Sequence, residues 1–348
     1  MAEAIQTYPE IAEGLIFKHN ETFLLESGKH LPKLKLCYST YGKLNDDKSN
    51  VVWVCHALTG NANVTDWWKE LFGENKLYDY SQYFIVCANV PGSCYGSIGP
   101  LDINEETNQP YFYDFPSITI RDVVNAFEML KSHLGIEKIH TCIGGSLGGQ
   151  QALEWAVSYP DTIENLVLMA TNARTSPWGV ALNETQRMAI RTDITWGQRH
   201  EEAGLEGMKV ARAMALLSYR SYETYEHTQK DMQDAMFDLK AITYQQHQGN
   251  KFKKRFNAFS YWAMTLLLDS HNVGRNRGGV SAALKKINAK TLIIGISTDV
   301  LFPTKEQEYL HKHIKNSRLE IIESLYGHDG FLIETEKIQS IIQNFYNS

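Results

Sequence analysis

Ile143-Gly144-Gly145-Ser146-Leu147-Gly148-Gly149-Gln150-Gln151-Ala152-Leu153 carries a Gly-x-Ser-x-Gly motif centred on Ser146. The residues before it, 138–143, read as a short buried strand. Those after it, 150–158, read as a helix with Ala152, Leu153 and Ala156 on one side. A serine on a sharp strand-to-helix turn is lifted out of the backbone and presented to substrate. Gly144, Gly148 and Gly149 let the chain make that turn and let the helix approach the sheet closely. The pattern points to covalent acyl transfer through Ser146. A phosphate-cradling loop fits poorly, because no Gly-Lys-Ser/Thr follows and no G-x-G-x-x-G precedes a later acidic ribose partner. A glycine turn that only packs remains open until a base, an orienting acid and an oxyanion site are found.

Outward from the motif, strand-like and helix-like segments alternate. Residues 51–55, 83–88 and 165–170 are near-continuous apolar runs, and residues 120–133 place Val123, Val124, Phe127 and Leu130 at helical spacing. Such strands separated by helices indicate an α/β protein with a mostly parallel sheet covered on both faces. Residues 14–17 and 34–39 supply antiparallel strands at one edge. From about 177 to 279 there is no convincing strand, and residues 207–218 and 256–268 have helical periodicity. The strand signal returns at 290–295 and 319–322. This reads as one core domain, 1–174 with 280–348, interrupted by a helical insertion over 175–279. An insertion there lies over the carboxyl ends of the strands, where open α/β sheets bind ligands, and is expected to act as a lid. A separate helical domain far from the site is the alternative.

Composition narrows the class. The 43% hydrophobic and 21% charged content fits a soluble globular protein. The net charge of −6, with no block of like charges, gives no sign of a nucleic-acid or anionic-membrane partner. No apolar run approaches a membrane span, and residues 1–20 lack the basic-then-apolar pattern of a signal peptide. The five cysteines, Cys37, Cys55, Cys87, Cys94 and Cys142, show no metal spacing, and three lie in strand-like runs. Reduced thiols, a cytoplasmic location and no metal are expected.

Two further strand ends carry candidate partners for Ser146. Residues 290–295 lead to Ile296-Ser297-Thr298-Asp299, and 319–322 lead to Ser324-Leu325-Tyr326-Gly327-His328-Asp329-Gly330. The chain order Ser, Asp, His is that of α/β-hydrolases. His328 then takes the proton from Ser146, and Asp299 holds the imidazole in the right tautomer. Asp329 is a poor orienter, since consecutive side chains point different ways from an extended backbone. Singly, Asp299 also reads as a turn or cap residue and His328 as a surface residue. Jointly, three such residues at three strand ends are hard to obtain by chance. The oxyanion donors are expected to be the N–H groups of Leu147 and of Leu58, in His56-Ala57-Leu58-Thr59-Gly60 after the 51–55 strand.

These segments resemble the homoserine O-acetyltransferase family. The resemblance rests on Gly144-Gly-Ser-Leu-Gly-Gly-Gln-Gln-Ala-Leu-Glu-Trp-Ala156, on His56-Ala-Leu-Thr-Gly60 with Trp67-Trp68, and on Asn89-Val-Pro-Gly-Ser-Cys-Tyr-Gly-Ser-Ile-Gly-Pro100. It extends through Thr119-Ile-Arg-Asp122, Asn183-Glu-Thr-Gln-Arg187, Ser270-His-Asn-Val-Gly-Arg275 and Tyr326-Gly-His-Asp-Gly-Phe-Leu332, covering nearly the whole chain. The resemblance implies the α/β-hydrolase fold and ping-pong transfer of acetyl from acetyl-CoA, through a Ser146 acyl-enzyme, to the hydroxyl of L-homoserine in methionine synthesis. It implies Arg220 as anchor of the amino acid's carboxylate and Asp329 as partner of its ammonium group. It implies acetyl-CoA as co-substrate with no resident cofactor, and a homodimer formed through the insertion. Asn272 stands where the family often has Asp, Asn276 where it often has Gly, and Leu147 where Met is commoner. Relatives using succinyl-CoA or acylating serine, and an esterase or thioesterase of the same fold, are the competing readings.

Overall fold

The computed structural model describes residues 14–232 and 236–348. Residues 1–13, the start of the expected core domain and most of the stretch searched for a signal peptide, lie outside the described residues, as do 233–235 within the insertion.

Among the described residues, eight strands form one sheet: β1 (Leu15–His19), β2 (Leu34–Tyr41), β3 (Val51–Cys55), β4 (Phe84–Ala88), β5 (Ile139–Gly145), β6 (Ile163–Met169), β7 (Lys290–Ile296) and β8 (Ser317–Ile322). Their spatial order is β1-β2-β4-β3-β5-β6-β7-β8. β1 and β2 are antiparallel, β2 is antiparallel to β4, and every later pair is parallel. All residues of β3 are buried, which explains its unbroken apolar run; a strand covered on both faces has no solvent side to alternate with. Its residues still alternate between two cores. Val51, Trp53 and Cys55 join one apolar cluster, Val52 and Val54 the other.

The first core lies under α1 (Ile120–His133) and α2 (Leu147–Ser158), where Trp53 and Trp155 meet edge-on at 4.9 Å between ring centroids. The second gathers Trp68, Phe72, Tyr78 and Phe331 with the C-terminal helix Thr335–Tyr346. The Thr119-Ile-Arg-Asp122 run has a local meaning. Thr119 and Asp122 form a capping box that starts α1, each side chain accepting from the other's backbone N–H. Cys37, Cys55, Cys87 and Cys142 are buried strand residues and free thiols.

Between β6 and β7 the chain forms α3 (Pro177–Arg191), α4 (Leu205–Tyr219), α5 (Tyr222–Thr228), α6 (Lys240–Lys253) and α7 (Ala258–Asp269). α4 packs between α3 and α6 and also touches the turn Gly327–Asp329. Ser221 and Thr224 reinforce that contact, both hydroxyls donating to the Leu325 carbonyl. Asn276, in the loop back to the core, sits at φ 60°, a left-handed conformation that asparagine and glycine tolerate best. Asn272 Oδ1 accepts the Gly274 N–H at 3.0 Å, a bond that an aspartate oxygen also makes.

Candidate active site

The helix after Ser146 starts at Leu147, not at residue 150 as the glycines suggest. Tertiary packing overrides their low helix propensity. A Cβ on Gly148 would sit 2.0 Å from the Cys55 carbonyl oxygen, so the first turn of α2 can lie against the end of β3 only without a side chain there. Ser146 itself has φ 57° and ψ −124°, strained for a non-glycine residue. Its backbone is held from three sides. The Ser146 N–H donates to the Met169 carbonyl at 2.9 Å, and the Ser146 carbonyl accepts from Thr171 Oγ1 at 2.9 Å and from the Gln150 N–H at 3.1 Å. The strain lifts the hydroxyl to the carboxyl edge of the sheet.

Asp299 and His328 reach the same edge from β7 and β8. His328 Nδ1 lies 2.7 Å from Asp299 Oδ2. The other carboxylate oxygen accepts the N–H groups of Leu301 and Phe302 at 2.8 and 2.9 Å. Asp299 therefore is a turn residue and an imidazole partner at once, one oxygen for each. Thr298 Oγ1 donates to the Ser324 carbonyl and accepts the Gly327 N–H, tying the two loops together. Gly327 has φ 64°, and a Cβ there would lie 2.7 Å from the Ser221 nitrogen, so both conformation and space require glycine. Burial disfavours a charged His328, but the charge and hydrogen bond of Asp299, with Asp329 adding, outweigh it and raise the imidazole pKa above 6.5.

Ser146, His328, Asp329 and Leu58 share the wall of one cleft of about 240 Å³. The Leu147 side chain is fully buried. Its N–H belongs to the first turn of α2, which has no acceptor within the helix. Among the described residues, the Leu58 N–H likewise has no protein acceptor.

Asp329 turns away from Asp299. Its Oδ2 lies 2.7 Å from Arg220 Nε, a close ionic contact whose N–H is not aligned as a hydrogen bond. Burial raises the Asp329 pKa, opposed by Arg220, His328 and Arg212. Arg220 itself does not line the cleft; it pairs with Asp329, which does.

The arginines that do face the cleft, Arg212 and Arg255, were not singled out from sequence. Arg212 lies over the rings of Tyr219 and Phe252, at 5.4 and 5.0 Å, and its Nη1 is buried without a hydrogen-bond partner among the described residues. Arg212 and Tyr219 are seven residues apart on α4, two turns on one face. A lone cation in the apolar run 210–217 was the available signal. Arg255 stands in a basic stretch with Lys251, Lys253 and Lys254, where nothing marks it out. Its Nη1 donates to the Thr59 carbonyl at 2.9 Å.

Residues 50–335 match the model of the α/β-hydrolase fold family. The homoserine O-acetyltransferase of Cyclobacterium marinum is 50% identical over 331 residues, covering 95% of this chain and 94% of that protein. The crystal structure of homoserine O-acetyltransferase from Bacillus anthracis superposes with a TM-score of 0.88 at 25% identity, covering 97% of this chain and 98% of that one. The acetyl esterase MekB, at 24% identity, has a TM-score of 0.86 over 97% of each chain, which speaks to the fold alone. By fold, and by identity along nearly its whole length, the chain belongs to the homoserine O-acetyltransferase family.

Proposed function

We propose that this chain moves an acetyl group from acetyl-CoA to the side-chain hydroxyl of L-homoserine by way of Ser146, a step of methionine biosynthesis. The observation that carries the reading is that His328, held by Asp299 behind it, lines one cleft with Ser146. In the first half-reaction His328 Nε2 takes the Ser146 proton as Oγ attacks the thioester carbonyl. The carbonyl oxygen becomes an oxyanion facing the N–H groups of Leu58 and Leu147. When the carbon–sulfur bond breaks, His328 returns its proton to the departing thiolate, leaving acetyl-Ser146 and CoA-SH. In the second half the homoserine hydroxyl gives its proton to His328 and attacks the acetyl carbon. Ser146 Oγ leaves and recovers the proton. Both halves balance on side chains and co-substrate, so no resident cofactor enters.

Recognition of the amino acid follows from charge. Asp329, in the cleft wall beside His328, suits the ammonium group. Arg212, in the same cleft wall and with its Nη1 unpartnered among the described residues, suits the carboxylate, since a guanidinium matches it in a bidentate fashion. This assigns to Arg212 the anchoring role that the resemblance implied for Arg220. Arg220 then acts through Asp329, favouring its ionised form. The helices of the 175–279 insertion act as the lid, contributing Arg212, Tyr219 and Arg255 to the wall and keeping water from the acetyl-enzyme.

On α4, Val210, Met214 and Leu217 are exposed at helical spacing, with Tyr222 three-quarters exposed just beyond. A second copy of the chain is the occupant that fits a family of dimers formed through the insertion. Among the described residues no helix is long and apolar enough to cross a membrane. A cytoplasmic location fits a CoA-dependent reaction.

The experiment offers acetyl-CoA or succinyl-CoA with homoserine, with serine or with no acceptor, and follows CoA release. Sustained release is expected only from acetyl-CoA with homoserine. Equal sustained release without any acceptor would make the protein a thioesterase.

A further inference from the structure

His56 is fully buried, directly after β3 and two residues before Leu58, and takes no part in proton transfer above. Its ring is nevertheless fixed at both nitrogens. The Val90 N–H lies 3.0 Å from Nε2, and a backbone N–H can only donate. Nε2 is therefore the bare nitrogen and Nδ1 carries the hydrogen. Nδ1 lies 2.8 Å from the Ala57 carbonyl oxygen, to which it must donate. Desolvation pushes the imidazole pKa down to about 4, so this neutral tautomer persists across the working pH range.

The carbonyl held by Nδ1 is half of a single peptide unit. Its other half is the N–H of Leu58. No peptide bond in the described chain is cis, so the C=O and N–H of this unit point in opposite directions. Ala57 O accepts from His56 Nδ1 and from the Gly60 N–H at 2.9 Å, which fixes the plane of the unit on its inner side. The Leu58 N–H is left on the outer side, where Leu58 forms part of the cleft wall with Ser146. The backbone of His56 is anchored as well. Gln151 Nε2, on α2, donates to the carbonyls of His56 and Leu147, each at 3.1 Å. One amide thus joins the two segments that bear the oxyanion donors.

We propose that His56 is a positioning residue for the oxyanion site, its imidazole holding the Ala57–Leu58 peptide so that the Leu58 N–H points into the cleft. The inference rests on the acyl-transfer reading above. It separates His56 from the proton relay: His328 moves protons, whereas His56 must never change its protonation. A donor displaced by rotation of this peptide no longer meets the developing negative charge, and loss of one oxyanion donor typically lowers the rate by about 10²–10³-fold.

The test compares His56→Asn, His56→Gln and His56→Leu. The Asn amide nitrogen replaces Nδ1 and donates to Ala57 O; the Gln amide replaces only Nε2; Leu replaces neither. Three quantities are read: the rate of the first-turnover burst of CoA from acetyl-CoA, inhibition by methylboronic acid, and the thermal midpoint. The boronic acid adds to Ser146 and places an oxygen in the oxyanion site. His56→Asn is expected to keep the burst rate within about tenfold of the parent. His56→Gln and His56→Leu should lose about 10²–10³-fold in burst rate, with a matching loss of boronate affinity and an unchanged KM for homoserine. If His56→Leu is too unstable to assay, His56→Gln, which keeps the Val90 bond, carries the comparison. The inference is overturned if His56→Gln keeps the parent's burst rate and boronate affinity. It is equally overturned if all three rates simply follow the thermal midpoint. Absence of any burst in the unsubstituted protein sinks the acyl-enzyme reading itself, a result distinct from either.

Discussion

His328 and Asp329 are neighbours in the chain yet pair with different residues: His328 Nδ1 lies 2.7 Å from Asp299 Oδ2, while Asp329 Oδ2 lies 2.7 Å from Arg220 Nε. The turn Gly327–Asp329 sends the two side chains to different partners, so adjacent residues carry both the proposed proton relay and the proposed partner of the substrate's ammonium group. This division of labour makes the roles separable by substitution.

Replacing Ser146 with Ala removes the acceptor of the acetyl group. The parent should gain the mass of one acetyl group when mixed with acetyl-CoA alone, and Ser146→Ala should gain none. Turnover in that variant should fall by about 10⁴-fold or more, as for other nucleophiles of this kind. Acetylation of the variant at an unchanged rate would place the nucleophile elsewhere.

His328 works as a base only when neutral, and its neutral fraction falls as pH drops through its pKa. Asp299 helps to raise that pKa above 6.5, so the acid limb of the acetylation rate should lie above pH 6.5. In Asp299→Asn the supporting charge is gone and burial, which lowers the pKa, gains weight. The limb should move to lower pH while the plateau falls by about 10⁴-fold, because the amide favours the wrong tautomer. A pH profile of the burst phase measures both, and an unmoved limb contradicts the pairing.

Arg212→Ala should raise the KM for homoserine strongly and leave the burst of CoA from acetyl-CoA intact, since the first half-reaction involves no amino acid. Arg220→Ala removes one of the charges that hold the buried Asp329 in its ionised form. Its effect on homoserine KM should therefore grow as pH falls, toward conditions where Asp329 takes a proton and loses its grip on the ammonium group. A pH-independent KM change in Arg220→Ala, or a lost burst in Arg212→Ala, would reverse these assignments.

Gly148→Ala places a methyl group 2.0 Å from the Cys55 carbonyl, which is backbone and cannot swing aside. Separation of α2 from β3 should cost about 1–3 kcal/mol, seen as a lower thermal midpoint. It should also move the Leu147 and Leu58 donors apart, so activity should fall by more than the folded fraction does. Full activity in the folded fraction would show that the spacing of these two elements is uncritical.

Leu217→Glu places a charge in the exposed apolar stripe of α4. Sedimentation should show a dimer for the parent and a shift toward monomer for the variant, without loss of the acetylation burst.

The amino-acid sequence by itself determined the layered architecture and the placing of Ser146, Asp299 and His328 at three strand ends. Buried strands such as β3 write themselves as unbroken apolar runs, and α1 as a periodic one with its capping box. The turns at Ser146, Asp299 and His328 lie at strand ends because a parallel sheet gathers its carboxyl ends on one edge. Those features are local, or follow from chain order alone. Tertiary structure decided what depends on contacts between distant segments. Helix α2 begins among glycines because β3 leaves no room for a side chain there. Arg212, and not Arg220, faces the cleft because α4 turns that face toward the core. The buried ring of His56 acquires its orientation from Val90 and Ala57, one of which lies 34 residues away. A periodic pattern records which face of a helix is apolar; it carries no record of which neighbour that face will meet.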